Sequence, residues 1–289
     1  MIRNLNDGTS GAPYLRTDLN IGTLSDLPEW SVAPRGDAAT VSRAIQAAGY
    51  QGIQGGDPSI CSSLGIGVTG GGRVNAVGDA EKIATDLKAK GFECATLHVG
   101  WGMDSDADVD AMVTDILTVS ERHNFPLYIE THRATITQDI WRTVELTRRI
   151  PDIRFNGDFS HWYTGLEMVY GPWEEKLAFL QPVFDRVRFL HGRIGSPGCM
   201  QVDIGDGVGR TYVEHFKEMW IRSMVGFLRS AGPGDFISFN PELLQPSIYY
   251  ARIFPDQSGA LVEEGDRWTQ ALLYTEIAKG CFEEAKRRV

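Results

Sequence analysis

Along this chain, short runs of β-branched, aromatic and aliphatic residues alternate with longer stretches whose apolar positions recur every three or four residues. The first kind predicts strands and the second amphipathic helices. Tyr14 to Asn20 is the first predicted strand. A helix is predicted over Ala38 to Ala48, then a strand over Tyr50 to Gln54 and a third short apolar run over Leu64 to Val68. Asp79 to Lys90 predicts a helix that opens on an acidic residue and stops before Gly91. A strand over Cys94 to Val99 and a helix from about Asp106 to His123 follow.

The second half repeats the rhythm more sharply. Pro126 to Glu130, Ile153 to Asp158, Val187 to His191 and Phe236 to Asn240 predict strands. Thr137 to Arg149, Trp173 to Phe184, Tyr212 to Ser230 and Arg267 to Arg288 predict helices. Strands separated by helices imply right-handed crossovers and a parallel sheet. Eight of them suit a closed α/β architecture, a (β/α)8 TIM barrel, better than an open sheet. No linker and no shift of composition divides the chain, so residues 1–289 are expected to form a single domain.

In such barrels the strand ends that lead into helices form the working face. The fifth predicted strand ends in Glu130, the sixth in Asp158 and the seventh in His191, while Glu242 follows the eighth in Asn240-Pro241-Glu242. Any one of these acids has a plain alternative role as the cap of the following helix. As a set, three carboxylates on one rim repel one another and raise each other's pKa. A divalent cation relieves that repulsion, and an acid-rich set with one imidazole suits Mn²⁺, Mg²⁺, Co²⁺ or Zn²⁺. His98 and Trp101 follow the fourth strand and Trp162 the sixth, as softer candidates for the rim of the pocket. Aromatic rings at such a rim can stack on a ligand, although a rim tryptophan also serves as core or interface. His132 faces either the pocket or the next loop, and His123 and His215, on predicted helices, are expected at the surface.

These strand ends carry a family resemblance. YIETH (Tyr128 to His132), GDFSHW with Asp158 and His161, FLHGRIG with His191 and Arg193, and FNPELL (Phe239 to Leu244) succeed one another along the chain. In that order they resemble the xylose isomerase-like barrel superfamily, specifically its sugar phosphate isomerase/epimerase group. The likeness spans most of the chain and is strongest from Pro126 to Arg252. It implies one divalent metal on Glu130, Asp158, His191 and Glu242, with the two glutamates on opposite sides of a carbohydrate substrate and His161 and Arg193 against its oxygens. A metal chelating a carbonyl and the neighbouring hydroxyl acidifies the C–H between them and stabilises a cis-enediolate. One glutamate removes the proton and the other returns it, giving an isomerase or epimerase. Arg193 has a second reading as a salt bridge to a rim acid, and His161 as a group that orients Asp158. Barrels of this group often pair, so a homo-oligomer is compatible with the resemblance.

Charge narrows the partners. The formal net charge is −10, and no Lys/Arg-rich stripe offers the basic footprint that nucleic acid demands. Lys286-Arg287-Arg288 closes the last predicted helix, where it complements the helix dipole. The charge and the few histidines also argue against the DNA-repair endonuclease branch of the same barrel. A lyase or dehydratase fits the same quartet, because β-elimination begins with the same proton abstraction. A catalytically silent sugar- or metal-binding protein is the remaining alternative, and the presence of both glutamates argues against it.

Cys61, Cys94, Cys199 and Cys281 show no CxxC spacing and are expected as free thiols in a reducing compartment. The first residues lack the apolar stretch of a signal peptide, and no run approaches the roughly 18–20 apolar residues of a membrane helix. A cytoplasmic enzyme is expected. Gly65 to Gly70 matches the letters of a dinucleotide fingerprint, but glycines continue to Gly72 and the next helix starts near Asp79. A flexible loop and no nucleotide cofactor are expected. Asp203 to Gly207 lacks the later ligands of a calcium loop and reads as a turn within Ser196 to Gly209. That stretch and Gln245 to Tyr250 are expected to shape substrate choice.

Overall fold

The computed structural model describes residues 2–289, Met1 lying outside them. Eight parallel strands close on themselves: β2 (Tyr14–Asn20), β3 (Gly52–Gln54), β4 (Gly67–Val74), β5 (Ala95–Val99), β6 (Leu127–Glu130), β7 (Phe155–Gly157), β8 (Val187–Gly192) and β9 (Asp235–Pro241). The ring is sealed where β9 pairs with both β8 and β2, His191 lying opposite Asn240 and Thr17 opposite Phe239. A short antiparallel strand, β1 (Leu5–Asn6), adds to the outside of β9. Every residue of β6 and β8 is buried, as expected of parallel strands covered on both faces.

Helices α1 (Ala38–Ala47), α2 (Pro58–Leu64), α3 (Asp79–Ala89), α4 (Asp106–His123), α5 (Ile140–Arg149), α6 (Ser160–Gly165), α7 (Trp173–Phe184), α8 (Thr211–Leu228) and α9 (Arg267–Arg287) follow the strands. Local chemistry fixes several starts. The side chains of Asp37, Asp57, Ser105, Asp139 and Asp266 each accept a backbone N–H of the first turn. Below the barrel axis, Arg16 grips Asp18 at 2.7 Å and Glu93 at 2.7 Å, and Ser238 donates to Asp18 at 2.7 Å. This buried network ties β2 to β9 and to the turn before β5 at the end of the barrel remote from the acidic strand ends.

Three expectations need correction. Thr137 lies in the loop before α5, because its hydroxyl donates to the Glu130 carbonyl at 2.7 Å and Asp139 caps the helix. Leu64 ends α2, so the third barrel strand is β4, which begins at Gly67. Of the glycines expected in a flexible loop, Gly65 caps α2, and Gly67 and Gly70 to Gly72 lie within a barrel strand. Their bareness lets a helix approach: a Cβ on Gly70 would sit 2.9 Å from Leu87 Cδ1, and one on Gly72 2.9 Å from Ile83 Cδ1, both on α3. Elements too short for a periodic signal, namely α2, α6, β1 and the hairpin of β10 (Ile253–Pro255) and β11 (Leu261–Glu263), join the predicted set. Among the described residues no helix is long and apolar enough to cross a membrane.

Gly226 in α8 marks the tightest helix contact. A Cβ there would lie 2.5 Å from Asp185 Cα and 2.7 Å from the Phe184 carbonyl oxygen, both backbone atoms at the end of α7. Helix propensity alone favours alanine over glycine by about 1 kcal/mol, whereas overpacking against a fixed backbone costs about 1–3 kcal/mol. Gly226→Ala is therefore expected to lower the urea midpoint at an unchanged m-value. A raised midpoint would show that α7 and α8 can move apart freely.

Candidate metal centre

The strand ends bring Glu130, Asp158, His191 and Glu242 together, with one potential ligand atom from each within 4.8 Å of the others. Glu130 is the last residue of β6, Asp158 the first after β7, His191 the penultimate residue of β8 and Glu242 the first after β9. Asp158 is fully buried, and Glu130 and His191 nearly so.

Each of the four has one polar atom tied back and another left toward the centre. Asn156 Nδ2 donates to Glu130 Oε2 at 3.1 Å, and Ser160 donates to Asp158 Oδ1 from its backbone N at 3.1 Å and its hydroxyl at 2.6 Å. Asn20 Nδ2 donates to Glu242 Oε1 at 2.8 Å, and His191 Nε2 donates to Gln54 Oε1 at 2.8 Å. The remaining atoms face inward. His191 Nδ1 lies 3.4 Å from Glu130 Oε1 and 3.2 Å from Glu242 Oε2. A nitrogen lone pair facing two carboxylate oxygens is repulsive unless a proton or a metal ion stands between them. Asp158 Oδ2 and His191 Nδ1 are buried without a hydrogen-bond partner, so the donor set fits a hard or borderline divalent cation.

The electrostatics show how the cluster holds together on protein charges alone. Burial pushes the Glu130 carboxyl up, but His191 and His98 outweigh it and hold Glu130 well below the usual carboxylate range. Burial likewise opposes ionisation of Asp158, where Arg193 and then His161 prevail. Burial disfavours the imidazolium at His191, and the charges of Glu242 and Glu130 overturn this and raise its pKa.

Around the quartet lie the other predicted residues and some that strand-end reasoning passed over. Arg193 Nε donates to the Glu242 carbonyl at 3.0 Å, its guanidinium pairs with the Glu242 carboxylate, and Nη1 lies 3.3 Å from Asp158 Oδ2. His161 Nε2 lies 3.4 Å from Asp158 Oδ2, and neither of its ring nitrogens has a hydrogen bond. His98 Nε2 lies 3.5 Å from Glu130 Oε1. His132 faces the pocket, its ring centroid 4.2 Å from that of His98 and 3.9 Å from that of His161. Burial, and then the charge of His161, push its pKa down to about 3. Tyr250 covers Arg193 at 4.3 Å and comes within 3.4 Å of His132 Nε2. Trp101 is half exposed beneath the Arg73 guanidinium at 3.9 Å.

Trp162 requires correction as a substrate contact. It is fully buried, its indole N–H is spent on the Thr137 carbonyl at 2.7 Å, and it packs on Phe159. His215 is likewise no simple surface residue, since it stacks on Trp173 at 3.8 Å and hydrogen-bonds the Tyr163 hydroxyl at 2.9 Å. The missed orienting groups Asn20 and Gln54 end β2 and β3, where reading every strand end for amides as well as ligands would have found them.

The fold is a (β/α)8 TIM barrel, and solved structures share it. The chain is similar to a xylose isomerase-like TIM barrel protein from Mycobacterium smegmatis solved with magnesium, at 10% identity and a TM-score of 0.55, covering 95% of this chain and 98% of that one. It is also similar to a D-tagatose 3-epimerase-like protein, at 11% identity and a TM-score of 0.53, covering 94% and 99%. A probable 3-DHS dehydratase from Bacillus anthracis matches at 13% identity and a TM-score of 0.51, covering 81% and 94%. No family model and no curated protein matches the sequence.

If the quartet binds a divalent cation, that ion stabilises the folded state by mass action, about 2.7 kcal/mol at a hundredfold excess over Kd. Adding Mn²⁺ or Co²⁺ to chelator-treated protein is expected to raise the Tm by roughly 5 °C or more. His191→Ala is expected to abolish most of that rise. An equal rise in the variant would place the stabilising ion elsewhere.

Proposed function

We propose that this chain is a divalent-metal-dependent isomerase or epimerase of a keto-sugar or close derivative. The observation that carries the reading is the paired disposition of Glu130 and Glu242. Each has one oxygen anchored by an asparagine and the other turned to the same centre from either side of His191. A divalent cation held by Glu130, Asp158, His191 and Glu242 supplies Lewis acidity toward a carbonyl and its neighbouring hydroxyl. Within that frame one glutamate takes the proton from the carbon between them, and the other delivers it to the adjacent carbon or to the opposite face. Arg193, held against Glu242 and beneath Tyr250, steadies negative charge developing on a substrate oxygen.

β-Elimination by the same site is the second reading. His161 favours it, since both its ring nitrogens are buried and without a hydrogen bond, which leaves it available to protonate a departing hydroxyl. The magnesium-bound, epimerase-like and dehydratase neighbours share the fold and are compatible with either outcome. Four unpaired cysteines fit a cytoplasmic setting.

Proton abstraction predicts incorporation of solvent deuterium beside the carbonyl when metal-loaded protein is incubated with a panel of ketoses and ketose phosphates. Glu130→Gln and Glu242→Gln are each expected to slow exchange by about 10²–10⁴-fold. Loss of water from the substrate after exchange would select the elimination reading. Binding of metal and sugar without any exchange would identify a silent binding protein and reject both reactions.

A further inference from the structure

The quartet is not the whole of the metal-capable chemistry at this mouth. Among the described residues a second group, His98, Glu130 and His132, brings one potential ligand atom from each side chain within 4.8 Å of the others. It shares Glu130 with the quartet but draws its two imidazoles from the ends of β5 and β6.

Four features distinguish this group from a chance meeting of histidines. Glu130 Oε2 is spent on Asn156, so Oε1 is the oxygen presented on both sides, 3.4 Å from His191 Nδ1 and 3.5 Å from His98 Nε2. A carboxylate oxygen placed between a buried imidazole of one group and an imidazole of the next has the disposition of a ligand shared by two ions. At His132, Nδ1 donates to the Arg133 carbonyl at 2.6 Å, which fixes the tautomer and leaves Nε2 with its lone pair. Pinning of the distal nitrogen by a backbone carbonyl is the usual support of a metal-binding histidine. His132 is also held in place by rings on both sides, His98 at 4.2 Å and His161 at 3.9 Å between centroids. The partly exposed His98 leaves an open path from solvent.

The geometry points to a second divalent-cation site formed by His98, Glu130 and His132, with Glu130 bridging it to the quartet. Two imidazoles and one carboxylate select a borderline ion such as Zn²⁺ or Co²⁺ over Mg²⁺, whereas the carboxylate-rich quartet accepts either kind. This goes beyond the one-metal reading proposed above, and metal stoichiometry separates the two.

The test is bound metal per chain, measured by elemental mass spectrometry after metal-free full-length protein is dialysed against Co²⁺, Zn²⁺ or Mg²⁺. Wild type is expected to hold two equivalents of Co²⁺ or Zn²⁺ and one of Mg²⁺. His98→Ala and His132→Ala are each expected to hold one equivalent of any of the three. His132→Gln, which keeps a polar side chain, is expected to lose the same equivalent and covers the case of an alanine variant that fails to fold. With Mn²⁺, the wild-type electron paramagnetic resonance spectrum is expected to show exchange coupling between two ions, replaced by an isolated-ion signal in His132→Ala. One equivalent of Co²⁺ or Zn²⁺ in wild type, unchanged in the His98 and His132 variants and lost in His191→Ala, overturns the second site and leaves the quartet standing. Two equivalents retained in the His98 and His132 variants overturn it as well. No bound metal under any condition overturns both sites.

Discussion

Three carboxyl groups held below the surface within a few ångströms of one another repel strongly, and much of the barrel mouth answers that repulsion. Glu130, Asp158 and Glu242 arrive from separate strands, and each meets a cationic or hydrogen-donating partner from another. Arg193 reaches both Asp158 and Glu242, and His191 stands between Glu130 and Glu242. Amides from Asn20 and Asn156 hold the outer oxygens of the two glutamates, and Gln54 holds the outer nitrogen of His191. Removing one partner from such a set leaves a buried charge uncompensated, which costs far more than the pair itself contributes. The same crowding of charge that assembles these side chains therefore also ties each of them in place.

The fold was legible because the strand runs and helical periods of this chain are strong, and because strand ends in a parallel barrel converge on one face. That convergence made Glu130, Asp158, His191 and Glu242 readable as a set from the sequence. Legibility failed where the backbone leaves regular structure. His132 lies two residues past the end of β6, where strand alternation no longer fixes the direction of a side chain. Trp162 and His161 are neighbours on the short helix α6, so a rotation of about 100° per residue sends one into the core and the other toward Asp158. Glycine carries two meanings, and in β4 it marks close approach of a helix rather than a loop. Tyr250 sits in an irregular stretch with no motif to announce it, and only tertiary structure lays it over Arg193.

The mouth is chemically lopsided. Strands β6 to β9 deliver the acids and their cations, while β2 and β3 contribute neutral amides. Aromatic and imidazole rings gather on the β5–β6 side, where His98, His132 and His161 form a row of tilted rings that ends edge-on against Tyr250. A ligand entering here meets hard oxygen donors on one wall and soft, polarisable rings on the other. Orientation of an asymmetric small molecule follows from that contrast before any single hydrogen bond is considered.

The seam between β2 and β9 joins stretches of chain more than two hundred residues apart, and the Asn20–Glu242 hydrogen bond lies at its upper end. Closing so long a loop costs conformational entropy that must be met before the contacts repay it. During synthesis, the chain up to β8 can assemble most of a sheet but has neither its last acid nor the strand that seals the ring. The four candidate ligands are thus not assembled until the final strand is in place, and any ion that joined Glu242 to the other three would act as a latch on ring closure.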